Sequence, residues 1–362
     1  QVMGVYRSRL ANPDLKWETT TEWNLGLDMG FLNNRILASV EFYHKVVSDL
    51  LNYKPLNAYQ EITRVMANVG KTQSTGVELT INTKNIDSRN FKWSTDFTFT
   101  AYKDRWKERT PDWKPGVYER VDDPIRPIYT RLADHILQIG EQVPDAQPLL
   151  RPGELVIKDI NGYRRDANKQ PIVDENGRFV LTGEPDGLID DADNVLLGSQ
   201  DPSWLAGITN TFKYKDFDLN IQLNGMFGRR MQDPTEMAYG LGGGDLARYG
   251  YNALRKIKDR WTWDNPSTTQ PTSFNGWGNN YTSGDWYYQR AWFIRLTNIS
   301  FGWTLPKAWI ARTKVLSRVR LSLSANNLFC ITPYKGLDPE TDYYAASYPN
   351  ARTYSMGINV TF

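Results

Sequence analysis

The chain has 362 residues, 40% hydrophobic, 13% aromatic and 23% charged, which is too apolar and too aromatic for a disordered chain. Its 43 Lys and Arg against 41 Asp and Glu leave a formal charge of +2, so no basic field argues for nucleic acid. One cysteine, Cys330, excludes an internal disulfide, and two histidines, His44 and His135, leave little for a histidine-based metal site or triad. No apolar run approaches the ~20 residues of a membrane helix, which excludes a helical span but not a barrel that hides its apolar surface in alternate residues. The first residue is Gln1 with no signal peptide, so the chain is expected to be mature, trimmed or a fragment.

The dominant period is two. From Trp17 to Phe31 the odd positions carry Trp17, Trp23, Leu25, Leu27, Met29 and Phe31, and the even positions carry Glu18, Glu22, Asn24 and Asp28. That is a strand with one apolar and one polar face. A second strand over 35–50 puts Ile36, Ala38, Val40 and Phe42 on one face, after a tight turn at Asn33-Asn34. Residues 75–84 alternate through Val77, Leu79 and Ile81, and residues 91–102 through Phe91, Trp93, Phe97 and Phe99. After a long irregular stretch, 203–214 and 217–229 form a pair joined near Lys215-Asp216. Residues 288–304 form another strand, with a phase slip near Asn298 that predicts a bulge. Residues 318–330 alternate through Val319, Leu321 and Leu323, and the last ten through Tyr354, Met356, Ile358, Val360 and Phe362.

These nine strands are separated by short connections near 31–35, 84–90, 214–217 and 305–317, which interleave with long ones at 51–74, 103–202, 230–287 and 331–352. Short turns on one side and long loops on the other are the layout of an outer-membrane barrel. Alternation alone is shared with a soluble β-sandwich, whose apolar faces would meet each other. Three features favour lipid: the apolar-alternating last strand ending in Phe362, the one-sided loops, and aromatics near strand ends (Trp17, Trp93, Trp204, Tyr214, Trp292, Trp303) as in an interfacial girdle. The expected fold is therefore all-β, a transmembrane antiparallel barrel with long extracellular loops. A closed bacterial barrel has an even strand count, so nine strands are expected to be the C-terminal portion of a larger barrel completed by an N-terminal part or another chain.

An ordered series of motifs carries a resemblance. It includes Asn12-Pro-Asp-Leu-Lys-Trp-Glu18, the stretch Phe31 to Leu51, Asn68-Val-Gly70 with Gly76-Val-Glu-Leu79, and Asp186-Gly-Leu-Ile-Asp190 to Asp193 followed by Leu197-Gly198 and Pro202. Arg260-Trp261, Asn265-Pro266, Ile294-Arg-Leu296, Asn298-Ile-Ser300, Thr304-Leu-Pro306, Asn326-Asn-Leu328 and Gly336-Leu-Asp-Pro-Glu340 continue it to Phe362. Together they resemble the C-terminal barrel half of the SusC/RagA family, the SusC-like TonB-dependent outer-membrane transporters of Bacteroidetes. The resemblance implies a 22-stranded barrel of which these are strands 14 to 22, with the plug and the TonB-contacting segment absent from this chain. It implies active import of oligosaccharides or peptides in the outer membrane with a SusD-like lipoprotein as lid and the TonB complex as energy source, and no enzymatic step. The competing readings are a passive porin or barrel scaffold for surface proteins, and a soluble glycan-binding β-sandwich.

The candidate sites lie in the long loops. Glu184, Asp186, Asp190, Asp191 and Asp193 resemble half of a calcium loop, with Gly187 allowing the turn; Asp186, Asp190 and Asp193 are the candidate Ca²⁺ ligands. In the family an Asn-Gly pair directly precedes this Asp-Gly. Here Asn161-Gly162 is separated from it by residues 163–185, which are expected to form a small hairpin around 174–177 that still closes the site. The plainer alternative is a solvated turn whose side chains cap their own backbone. The aromatics Trp106, Trp113, Tyr118, Tyr129, Trp263, Trp277, Tyr281, Trp286, Tyr343, Tyr344 and Tyr348 are candidates for stacking on the C–H faces of sugars, with Trp277, Tyr281, Trp286, Tyr343 and Tyr344 as the chosen substrate-binding set; their alternative role is to pack the loops or touch the lid. Residues 245–259 read as a short amphipathic helix capped by Asp245, with Leu246, Tyr249, Leu254 and Ile257 as its stripe. His44 is expected at an interface rather than as a ligand. Glu18, Glu22, Asp28, Glu41, Asp96, Asp218 and Arg320 are expected on the lumen wall.

Overall fold

The structure is a computed structural model that describes residues 10–56, 59, 62–111, 113–175, 178–240, 250, 252–272, 284–341 and 348–362. Ten strands form its main sheet, nine of them in one antiparallel path: β1 (Thr19–Phe31), β2 (Ile36–Ser48), β3 (Lys71–Asp87), β4 (Phe91–Glu108), β5 (Trp204–Tyr214), β6 (Phe217–Phe227), β7 (Phe293–Thr304), β8 (Arg318–Asn326) and β9 (Thr353–Thr361), with the two-residue strand Cys330–Ile331 pairing beside β8 on β7. Each strand pairs with its neighbours in chain order, so the sheet is a meander with β1 and β9 as its edges. Lipid does not tolerate an open edge, because each unpaired backbone group there costs several kcal/mol. The sheet is therefore part of a barrel closed by further strands.

The turns follow from local chemistry. Leu32, Asn33 and Asn34 all take positive φ (53, 55 and 61°) and reverse the chain between β1 and β2. Lys215 (φ 51°) does the same in the two-residue turn between β5 and β6. The bulge expected near Asn298 is present: Asn298 lies opposite Gln222 while Leu296 lies opposite Leu223, which leaves Thr297 as the extra residue. The Asn327 amide donates to the Thr297 carbonyl at 3.1 Å, so the bulge is not left unpaired.

Several boundaries differ from the sequence reading. On the long-loop side β3 starts at Lys71 rather than 75 and β4 runs to Glu108 rather than 102, and at the short turn β3 runs on to Asp87. Residues 288–304 are not one strand; Tyr288–Arg290 leaves the wall and pairs with Arg230–Gln232. The expected helix over 245–259 is corrected in its described part. Leu254 is extended (φ −63°, ψ 145°), its amide donates to the Tyr239 carbonyl at 2.8 Å, and only Arg255–Asp259 makes a 3-10 turn. A helix forms instead at Pro234–Tyr239, where the Asp233 side chain accepts from the Thr235 and Glu236 amides at 3.1 and 3.0 Å and Pro234 presets the first turn.

The two faces of the sheet differ chemically, row by row. Leu27, Val40, Leu79 and Phe99 face outward as cross-strand neighbours, and so do Leu219, Phe301, Leu323 and Met356. The adjacent rows face inward: Asp28, Ser39, Thr80, Thr98, Gly207 and Asn224, and likewise Asn220, Ser300, Ser324 and Ser355. Among the described residues no second layer packs on the outward rows; Leu25 and Met356 are each 73% exposed. The main cluster of buried apolar residues sits in the loops instead, around Ile136, Leu155, Ile157, Trp261 and Tyr287. This overturns the soluble-sandwich alternative, in which the apolar rows would meet in a core.

Aromatic stacks mark both ends of the outward face. On the long-loop side Phe99, Trp204, Phe227 and Trp292 stack in series with centroids 5.8, 3.7 and 6.1 Å apart. On the short-turn side Trp93 stacks on Phe212 at 5.6 Å, and Phe217 on Trp303 at 5.8 Å. Trp204 and Tyr214 end the same strand. At about 3.4 Å per residue and a tilt of about 40°, they are about 26 Å apart along the membrane normal, the height of a barrel's apolar band. Polar residues on this face satisfy one another near the inner rim. Thr83 donates to Asn85 (2.9 Å), Asn85 to Thr95 (2.7 Å), and both Thr95 and the Trp93 indole donate to Asn210 (2.7 and 2.9 Å). A polar group without a partner would be costly there.

Candidate functional site

The inward wall and the mouth above it form the candidate site. The wall is a polar ladder with cross-strand hydrogen bonds: Asn24 to Glu41 (3.2 Å), Asn82 to Asp96 (2.7 Å) and Asn220 to Thr211 (2.9 Å). Asp28, Glu41, Asp96 and Asp218 take the inward registers expected of them. Near the short turns Arg320 of β8 reaches across β7 to grip Asp218 of β6 with both guanidinium nitrogens, one at 2.8 Å. Gly302 of β7 makes this possible, because a Cβ there would collide with the Arg320 guanidinium.

At the other end the long loops build a folded canopy. Residues 133–136 and 155–157 pair, and Ile136, Leu155, Ile157, Trp261 and Tyr287 form its core. The last long loop is tied to the wall by an ion pair that the sequence motifs contain but do not announce. Arg295 of β7 donates to Asp338 at 2.6 Å with both side chains nearly buried, and its Nε lies 3.0 Å from Glu340. Asp338 also accepts from the Glu340 and Asn350 amides (2.9 and 3.0 Å). Motifs Ile294-Arg-Leu296 and Gly336-Leu-Asp-Pro-Glu340 are thus the two halves of one clamp.

The acidic loop is closed as expected but does other work. Residues 163–181 fold back on themselves in three short runs, with bridges Tyr163 to Leu181, Arg165 to Pro171 and Val173 to Phe179. This brings Gly162 against the Asp186 side chain so closely that a Cβ would not fit. The carboxylates are spent on backbone amides. Asp193, fully buried, accepts from Ile160 (2.8 Å), Asn161 (3.2 Å) and Asp190 (2.9 Å). Asp190 accepts from Ala192 (2.7 Å) and Asp186 from Leu188 (3.1 Å). Asp159, which sequence reading missed, holds the Asp186 and Gly187 amides (3.2 and 2.7 Å). Among the described residues no three His, Cys, Asp or Glu side chains group to hold a metal ion. In this arrangement Asp186, Asp190 and Asp193 hold the loop's own backbone amides.

The loop aromatics divide by role. Trp106 and Trp113 sandwich the Arg109 guanidinium at 4.9 and 4.8 Å, and Tyr118 packs on Tyr129 at 5.0 Å. The Tyr129 hydroxyl donates to Asp123; burial and this carboxylate both push its pKa upward. Trp286 is half-buried, packed against the canopy core. Trp263 and Tyr348 remain open, 68% and 91% exposed. Trp277, Tyr281, Tyr343 and Tyr344 lie outside the described residues. His44 faces outward at the membrane boundary, bonded to Thr75 at 2.8 Å. His135 stands between Asp134 (2.8 Å) and Glu141 (2.6 Å). Burial opposes its charging, but the hydrogen bonds and charges of both carboxylates outweigh this and hold its pKa above the ordinary value.

The motifs, the meander, the two-faced wall and the girdle spacing converge with the comparisons to known proteins. The family described as TonB dependent receptor-like, beta-barrel, matches residues 3–133. A TonB-dependent receptor of Formosa agariphila is 30% identical over all of this chain, and the TonB-dependent receptor SusC of Bacteroides thetaiotaomicron is 27% identical over 98% of it. Along its whole length the chain is similar to SusC-like TonB-dependent receptors. It spans about a third of these relatives' length, 36% and 33%. As such it is a stretch of an outer-membrane β-barrel. The structure of the RagAB peptide transporter superposes with a TM-score of 0.77 at 23% identity, covering 100% of this chain and 37% of that one; at this identity it shows the receptor fold alone.

Proposed function

We propose that this chain forms wall and mouth of an outer-membrane importer of oligosaccharides or peptides. Transport would be driven through the TonB complex, with a SusD-like lipoprotein seated on the long loops. The observation that carries this reading is a continuous polar inward face topped by a folded, clamped canopy. Free-swinging loops could not hold a bulky polar solute or a lid in a fixed place. The RagAB peptide transporter, whose fold this chain shares, supports the peptide class, and the exposed rings of Trp263 and Tyr348 support the oligosaccharide class. On this reading Trp263 and Tyr348, together with Trp277, Tyr281, Tyr343 and Tyr344, offer ring faces to substrate or lid. The plug and the TonB contact belong to the remaining length of the receptor. Its work is translocation, with no bond made or broken.

The test is uptake of labelled oligosaccharides and of labelled peptides by cells with and without the full-length receptor gene. Loss of uptake on deletion, its abolition by a proton uncoupler, and co-isolation of a surface lipoprotein support the proposal. Uptake that survives the uncoupler contradicts it and favours a passive pore.

A further inference from the structure

The outward face changes character on the long-loop side within two rows. Leu25, Phe42, Val77, Ala101 and Trp204 form one cross-strand row over β1 to β5. The next row is Trp23, His44, Thr75 and Lys103, and the one beyond it Thr21, Val46, Gln73 and Arg105. The transition falls at the outer aromatic stack. A cavity of about 650 Å³ opens there, with Phe42, Val77 and Ala101 as its floor, Trp204 at its side and Lys103 and Arg105 lining it toward the long loops. Pro124, Ile125 and Pro202 of the canopy line it as well.

The two cations alternate on one strand face, about 7 Å apart. Among the described residues no carboxylate pairs with either of them. Of the acidic residues beside the cavity, Asp201 is paired with Arg126 at 3.1 Å, and Asp104 holds the inward register opposite Ser74. The cavity is continuous with the face that meets the acyl tails. A neutral lipid would leave both cations unmatched beside a low-dielectric phase, and a free phosphate would leave the apolar floor uncovered. We propose that this groove binds a phosphorylated, anionic lipid of the outer leaflet. One acyl chain lies along Phe42, Val77, Ala101 and Trp204, and the phosphate sits between Lys103 and Arg105.

The proposal is tested on the full-length receptor in phosphatidylcholine nanodiscs doped with lipid A or with dephosphorylated lipid A, with retained lipid read by native mass spectrometry. Lipid A is expected to stay bound and its dephosphorylated form to wash out. The double variant Lys103→Gln, Arg105→Gln should weaken retention about tenfold or more, the order expected for two cations facing an anionic lipid. Ala101→Trp fills the floor and should also weaken it with both cations in place, while Lys213→Gln, Lys215→Gln at the opposite rim should change nothing. Heat-modifiable electrophoretic mobility confirms that each barrel is folded. Equal retention of both lipids, or retention unaffected by the Lys103 and Arg105 changes in a folded barrel, overturns the proposal.

Discussion

The wall and the canopy solve the burial problem in opposite ways. In the wall, apolar side chains such as Leu219, Phe301 and Leu323 point away from the protein, and the polar ones line its inside. In the canopy, Leu155, Ile157 and Trp261 are buried in the ordinary manner of a water-soluble core. The difference teaches that a change of solvent, lipid against water, inverts the meaning of the same residue type. It also separates their stabilities. The wall rests on ladders between sequence neighbours and on lipid, and the canopy on a few distant contacts.

That separation can be broken by experiment. The largest effect is expected for Asp338→Ala, which leaves the buried Arg295 without its main partner; losing one member of such a pair costs about 3–5 kcal/mol. The last long loop should become protease-sensitive while the barrel keeps its heat-modifiable mobility. A barrel that fails to fold would erase the distinction. Leu155→Ala should cost the canopy about 2–5 kcal/mol through the cavity it leaves, seen as faster hydrogen exchange around 133–157 and unchanged exchange in the wall.

In the wall the decisive contrast is between faces. Ile221→Arg places a cation outward near mid-depth and should cost the folded barrel about 2–4 kcal/mol in lipid vesicles, whereas Asn220→Arg one residue away should be nearly neutral. The smallest effect is the staple at His135. Its raised pKa means the contribution is complete below the unfolded imidazole value of about 6.5 and fades as pH rises through the folded value. Asp134, lowered chiefly by its bond to His135, and Glu141, lowered chiefly by the Gln138 amide, lose their share as pH falls through their folded values. An NMR titration of His135 should show a pKa that drops when Glu141 is changed to Gln; an unmoved pKa would remove the staple.

The wall was legible because its determinants are local. Alternation assigned faces from Trp17 to Phe362, Asn33-Asn34 marked a turn, and a phase slip located the bulge at Thr297 within one residue. The canopy was not legible, because its determinants are distant. Asp193 closes its loop on amides at 160 and 161, and Arg295 meets a partner 43 positions away. The acidic residues of 186–193 carry no mark of which distant amides they hold. Leu254 and Ile257 had helical spacing, yet a backbone bond to Tyr239 drew the chain away from a helix.

The two-faced wall is tested most directly by spin labels placed one at a time at Leu219, Asn220, Ile221, Gln222 and Leu223 of the full-length receptor in lipid vesicles, with Cys330 replaced by Ser. Labels at 219, 221 and 223 should be accessible to oxygen dissolved in the lipid, and labels at 220 and 222 to a water-soluble nickel chelate. Labels at 219, 221 and 223 shielded from both probes would contradict it, since those side chains would then be packed inside protein.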